Sequence, residues 1–190
     1  MVYPLAAALI VLNAFFVLME FALMRVRPAR VEILVRKGSA RALAVQDILG
    51  RFDEYLAAMQ LCMTVIALAL GAVAEPVIAR QLNEHVTAWA GSLPPSWLRM
   101  FSFSVAVSTL AAVQIILAEL IPRAVAIHFA EPIAIYGARP LRLLAQFLRL
   151  PIRLMTYCSK GILALFGLKS AAEAAHPVSV DEMRVLLGET

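Results

Sequence analysis

The stretch LNAFFVLMEFALMRVR, residues 12–27, is an apolar run that carries an asparagine at 13 and a glutamate at 20 before it ends in arginines. An ionised carboxylate near the bilayer centre costs roughly 2.5–3.5 kcal/mol even on insertion scales, so Glu20 must face protein, water or an ion. Apart from Glu20, residues 2–24 hold no charge, and about 20 such residues suffice to cross hydrocarbon. No basic residue precedes the run, and it exceeds the ~7–15-residue core of a secretory leader, so a membrane span is expected rather than a cleaved signal peptide.

The whole chain supports that reading. Of its 190 residues 62% are hydrophobic and 16% charged, against an apolar share of about 45–50% in soluble domains; mean hydropathy is +0.83. The two cysteines, Cys62 and Cys158, fall in segments expected at different depths, which suggests neither a disulfide framework nor a zinc site. A formal net charge of +4 reads as a topology signal and not as the footprint of a nucleic-acid partner.

Three spans follow, at about 2–25, 55–75 and 100–122, the last apolar except for Ser102, Ser104, Ser108, Thr109, Gln114 and Glu119. Residues 25–54 hold seven Lys and Arg, residues 75–99 two, and the chain after the third span eight. The positive-inside rule therefore places the N-terminus outside and the C-terminus in the cytoplasm of a plasma membrane. The outer connection, GSLPPSW, reads as a turn flanked by Trp89 and Trp97 as interfacial anchors. From 132 to 168 the polar residues Arg139, Arg142, Gln146, Arg149, Arg153 and Lys160 fall within an arc of ~80° at helical spacing. Pro151 is expected to break this segment near its middle. The result reads as a basic amphipathic hairpin on the inner leaflet, with arginines reaching lipid phosphates, and a fourth span is the alternative. Within 169–190, Ser179 and Glu182 have capping-box spacing and start a cytosolic linker helix. Small residues on the spans, among them Ala67, Gly71 and Ala111, suit a close helix-to-helix contact and a homodimer.

The first and third helices run in the same direction. Glu20 stands five residues before Arg25 and Glu119 four before Arg123, which puts both carboxylates ~6–8 Å above the inner boundary. The second helix runs the other way and brings Gln60 to ~9 Å above that boundary, with Thr64 one turn deeper. Asn13 and Glu20 share a helix face. Pro122 cannot donate to the carbonyl of Ala118, which leaves an oxygen free beside Glu119. Carboxylate, amide, hydroxyl and carbonyl oxygens are the donor set of hard cations such as Mg²⁺ and Na⁺. The alternatives are a Glu20 pair with Arg25 or Arg27, a Glu119 pair with Arg123, and helix-to-helix hydrogen bonds from Gln60 and Thr64.

The motifs NAFFVLMEFAL, YLAAMQLCMTVIALALGAVAEP and LAELIPRAVAIHFAEPIA, in this order, resemble the transmembrane domain of the CorC/HlyC and CNNM proteins. The resemblance implies an all-α fold for 1–168 with three spans and an inner-leaflet hairpin, a homodimer, and a CBS-domain pair that would follow and is absent here. It implies Mg²⁺ export across the inner membrane of a bacterium, in exchange for Na⁺, through a cavity open to the cytoplasm. Glu119 matches the acidic residue of the family's Gly-Glu-x-x-Pro-Lys motif, with Ala118 in place of glycine and Arg123 in place of lysine. Glu20 and Asn13 match first-helix positions, whereas Val17 and Met19 stand where small hydroxyl residues occur in better understood Mg²⁺ transporters. Gln60 and Thr64 stand in for an asparagine-containing motif. A membrane anchor or ion sensor serving CBS-type domains is the alternative function. An enzyme is not expected: His85, His128 and His176 lie in loops or at helix ends, and no nucleophile stands beside a base.

Overall fold

A computed structural model describes residues 2–90 and 95–165, and these are helical almost throughout. The helices are α1 (Val2–Arg25), α2 (Pro28–Arg36), α3 (Ala40–Gly50), α4 (Phe52–Ala90), α5 (Pro95–Gln114), a π-helical turn (Ile115–Leu120), α6 (Ile121–His128), α7 (Ala130–Phe147) and α8 (Arg149–Leu165). Three helical stretches are long and apolar enough to cross a membrane: Val2–Arg25, Phe52–Leu82 and Ser96–His128. The last is one continuous rod made of α5, the π turn and α6. Residues 91–94 of the expected outer turn and the expected capping box at Ser179 and Glu182 lie outside the described residues.

α4 packs on both α1 and α5, while α1 meets the third rod along the π turn and α6. The core cluster joins Phe16, Met19, Ala22 and Leu23 of α1 to Ile48, Met59, Ala126, Ala134 and Leu141. α7 turns Ala134, Gly137, Ala138 and Leu141 inward, spacings that make one face of a helix, and lays them on α1 and α3.

The basic segment after α1 contains two helices that its charges alone did not announce. Gly38 takes φ 81°, the left-handed conformation that glycine adopts without a Cβ clash. There Gly38 N–H donates to Val35 O at 2.8 Å and Ser39 N–H to Leu34 O at 3.1 Å, which closes α2 in a Schellman arrangement. Ser39 then caps α3 by accepting from Ala42 N–H at 3.3 Å. Three polar contacts fasten this layer to α7: Arg30 pairs with Glu131 at 3.1 Å, Asp47 Oδ2 forms an ion pair with Arg142 Nε at 3.4 Å, and Arg41 lies 4.7 Å above the Tyr136 ring.

Two prolines behave differently from expectation. α4 continues past Pro76, beyond the expected end of the second span at 75. The basic segment breaks at Leu148 instead of at Pro151, which falls in the first turn of α8. Proline is tolerated there because first-turn N–H groups have no intrahelical acceptor. The described residues divide into two units at Leu148, and α8, in the second, is amphipathic.

Candidate cation site

Pro122 shapes the third rod. With no N–H it cannot serve the carbonyl of Ala118, and the turn before it relaxes to a wider register in which Ile121 N–H reaches Ile116 O. Such π turns inside α-helices are frequent at functional sites. The Ala118 carbonyl is not left free, in contrast to expectation: Asn13 Nδ2 approaches it at a long 3.5 Å from α1. Committing the amide nitrogen turns Asn13 Oδ1 away from it, and that oxygen is buried with no hydrogen-bond partner among the described residues. A buried acceptor without a donor costs about 1–3 kcal/mol, which a cation would offset.

Beside this contact lies a cavity of about 440 Å³ lined by Asn13 and Glu20 from α1, Gln60 and Thr64 from α4, Gln114 from the end of α5, Glu119 from the π turn and Arg123 from α6. Five of the six residues singled out from the sequence thus share one wall, and Ala118 stands behind it, fully buried. Thr64 Oγ1 donates its proton to Gln60 O at 2.9 Å, which leaves the hydroxyl oxygen as an acceptor toward the cavity. Val17, Phe21, Met63 and Ala67 complete the lining. Among the described residues neither Glu20 nor Glu119 forms an ion pair with an arginine. Arg123 instead lies 4.5 Å above the Phe21 ring.

The lining carries two carboxylates and one guanidinium, a formal charge of −1. Among the described residues no three His, Cys, Asp or Glu gather as metal ligands. A cation here would draw on amide, hydroxyl and carboxylate oxygens, a set suited to hard ions rather than to zinc or copper. Six waters occupy roughly 180 Å³ at the volume of the liquid, so the space admits a cation that keeps much of its hydration shell.

The family model of the cyclin M transmembrane N-terminal domain, CNNM, matches residues 4–190. The chain belongs to this family. CNNM-type relatives extend well beyond it. The UPF0053 protein YhdT of Bacillus subtilis is 37% identical over 186 residues, covering 98% of this chain and 40% of the relative. YhdP of the same organism is 33% identical, covering 98% and 41%. An uncharacterized protein of Mycobacterium tuberculosis is 31% identical, covering 98% and 52%. The chain therefore spans about half or less of these CNNM-related proteins.

Gln114 escaped the sequence reading. At α-helical spacing it stands roughly 140° around the helix from Glu119; the wider π turn between them brings both onto the cavity wall.

Proposed function

We propose that this domain binds Mg²⁺ or a related divalent cation in the cavity between α1, α4 and the π turn and exports it in exchange for Na⁺. The observation that carries this reading is that Glu20 and Glu119, which form no ion pair among the described residues, line one cavity with Asn13, whose buried Oδ1 has no hydrogen-bond partner among them. Membership of a family associated with membrane ion transport supports it. In the proposed arrangement the N-terminus is outside, the cavity opens to the cytoplasm of a bacterial cell, and two copies form the working unit. Large side chains such as Phe101, Phe103, Ile116 and Leu120 remain exposed on the third rod, a face for lipid or for the second copy.

Each oxygen has a part. Glu119 and Glu20 supply the charge that offsets lost water, Asn13 Oδ1 and Thr64 Oγ1 supply neutral oxygens, and Gln60 and Gln114 hold hydration waters. A π turn ending at a proline gives the ligand-bearing backbone a second register to adopt, which suits a site that must release its ion. Arg123 balances the carboxylates when the ion leaves. Arg123→Gln should accordingly tighten Mg²⁺ binding by on the order of tenfold, because it removes a like charge from the same cavity. Isothermal titration of the purified variant checks this; weaker binding would assign Arg123 to holding the site's shape. Equilibrium Mg²⁺ binding to Glu119→Gln tests the reading as a whole and is taken up in the Discussion.

A further inference from the structure

We propose that a second cavity, at the junction of α1, α2, α6 and α7, binds a phosphate group, and that its source is the headgroup of an anionic phospholipid. The cavity measures about 320 Å³, and Arg25, Arg27, Arg30, His128, Ala130 and Glu131 line it. Three guanidinium groups against one carboxylate leave it cationic. Arg30 is engaged, with Nε 3.1 Å from Glu131 Oε1. Arg25 and Arg27 are exposed and make no ion pair among the described residues, so two planar donor forks stand ready for a tetrahedral anion.

Backbone donors add to them. α7 begins at Ala130 with no side-chain cap on its first turn, and its first bond to the preceding backbone comes from Ile133 N–H, to Phe129 O at 3.2 Å. Pro132 has no N–H, and the first-turn N–H groups of Ala130 and Glu131, two residues that line the cavity, have no intrahelical acceptor. His128 Nδ1 stands 2.8 Å from Ala124 O; a carbonyl only accepts, so Nδ1 holds the proton and Nε2 is the free ring nitrogen.

Depth selects the source of the phosphate. Arg25 is the last residue of the first candidate span and His128 the last of the third. The cavity thus lies where two apolar helices emerge together, the level at which phospholipid phosphates stand. This assignment is independent of the cation site.

The test uses the full chain in detergent, titrated with short-chain phosphatidylglycerol, short-chain phosphatidylcholine and inorganic phosphate. Phosphatidylglycerol should bind saturably and more tightly than phosphatidylcholine. Arg25→Gln with Arg27→Gln should weaken it by about tenfold or more. Arg36→Gln with Lys37→Gln removes the same charge from the far end of α2 and should change affinity less than about twofold, as screened surface charges do. Glu131→Gln keeps all three arginines and should tighten binding, which guards against a folding defect in the double variant. Inorganic phosphate that displaces the lipid with the same dependence on Arg25 and Arg27 would support the phosphate site and reassign its source to a soluble ligand. Equal losses in the two double variants, an unchanged affinity in Arg25→Gln with Arg27→Gln, or no response to Glu131→Gln would each overturn the proposal.

Discussion

Glu119→Gln is expected to weaken Mg²⁺ binding by on the order of a hundredfold or more while leaving the fold intact. Glutamine keeps the shape and one carbonyl oxygen of glutamate but removes its charge. A formal lining charge of −1 then becomes zero, with Arg123 still in place. Mg²⁺ gives up water reluctantly, so a site without net attraction competes poorly with bulk hydration. Glu20→Gln should act in the same direction, because Glu20 lines the same cavity and forms no ion pair with Arg25 among the described residues. Titration calorimetry on protein shown to be folded by circular dichroism is the check. Wild-type affinity in Glu119→Gln would remove the carboxylate from the site.

Gly137→Val is expected to destabilise the fold far more than a substitution at any exposed position of α7. A Cβ at Gly137 would overlap Met19 Sδ, with Met19 Cε 3.1 Å and Cγ 3.3 Å away, and Met19 is fully buried. Met19 can swing only into other core atoms. Overpacking of this kind costs about 1–3 kcal/mol, and the two further methyls of valine raise it. α1 would be forced away from α7, and α1 carries Asn13 and Glu20, so cation binding should fall together with thermal stability. Pairing the change with Met19→Ala returns the space and should restore part of both. A pair of single and double variants whose melting temperatures simply add would contradict the packing account.

Much of this was legible in the residues because hydrophobic run length and helix rise are local quantities. Three apolar runs, two of them carrying a single carboxylate, located the spans, and 1.5 Å per residue placed Glu20, Glu119 and Gln60 near a common depth. What stayed hidden depends on register or tertiary contact. Gln114 belongs to the cavity through the π turn, which no α-periodic reading produces. The Ala118 carbonyl found Asn13 because α1 and the third rod approach there, a contact encoded in neither helix alone. The arginines in 25–54 read as topology signals and do not announce α2 and α3, although Gly38 and Ser39 are a helix stop and a helix start side by side. The break at Leu148 instead of Pro151 follows from the tolerance of a first helical turn for proline.

Transport through the α1, α4 and π-turn cavity is most directly tested by Mg²⁺ flux in proteoliposomes, with wild-type chain and Glu119→Gln reconstituted at equal density and a Na⁺ gradient imposed. The account predicts gradient-dependent Mg²⁺ movement with wild type and near-background movement with the variant. Wild-type protein that binds Mg²⁺ at this cavity yet moves none across the bilayer would contradict export and leave an ion-sensing anchor in its place.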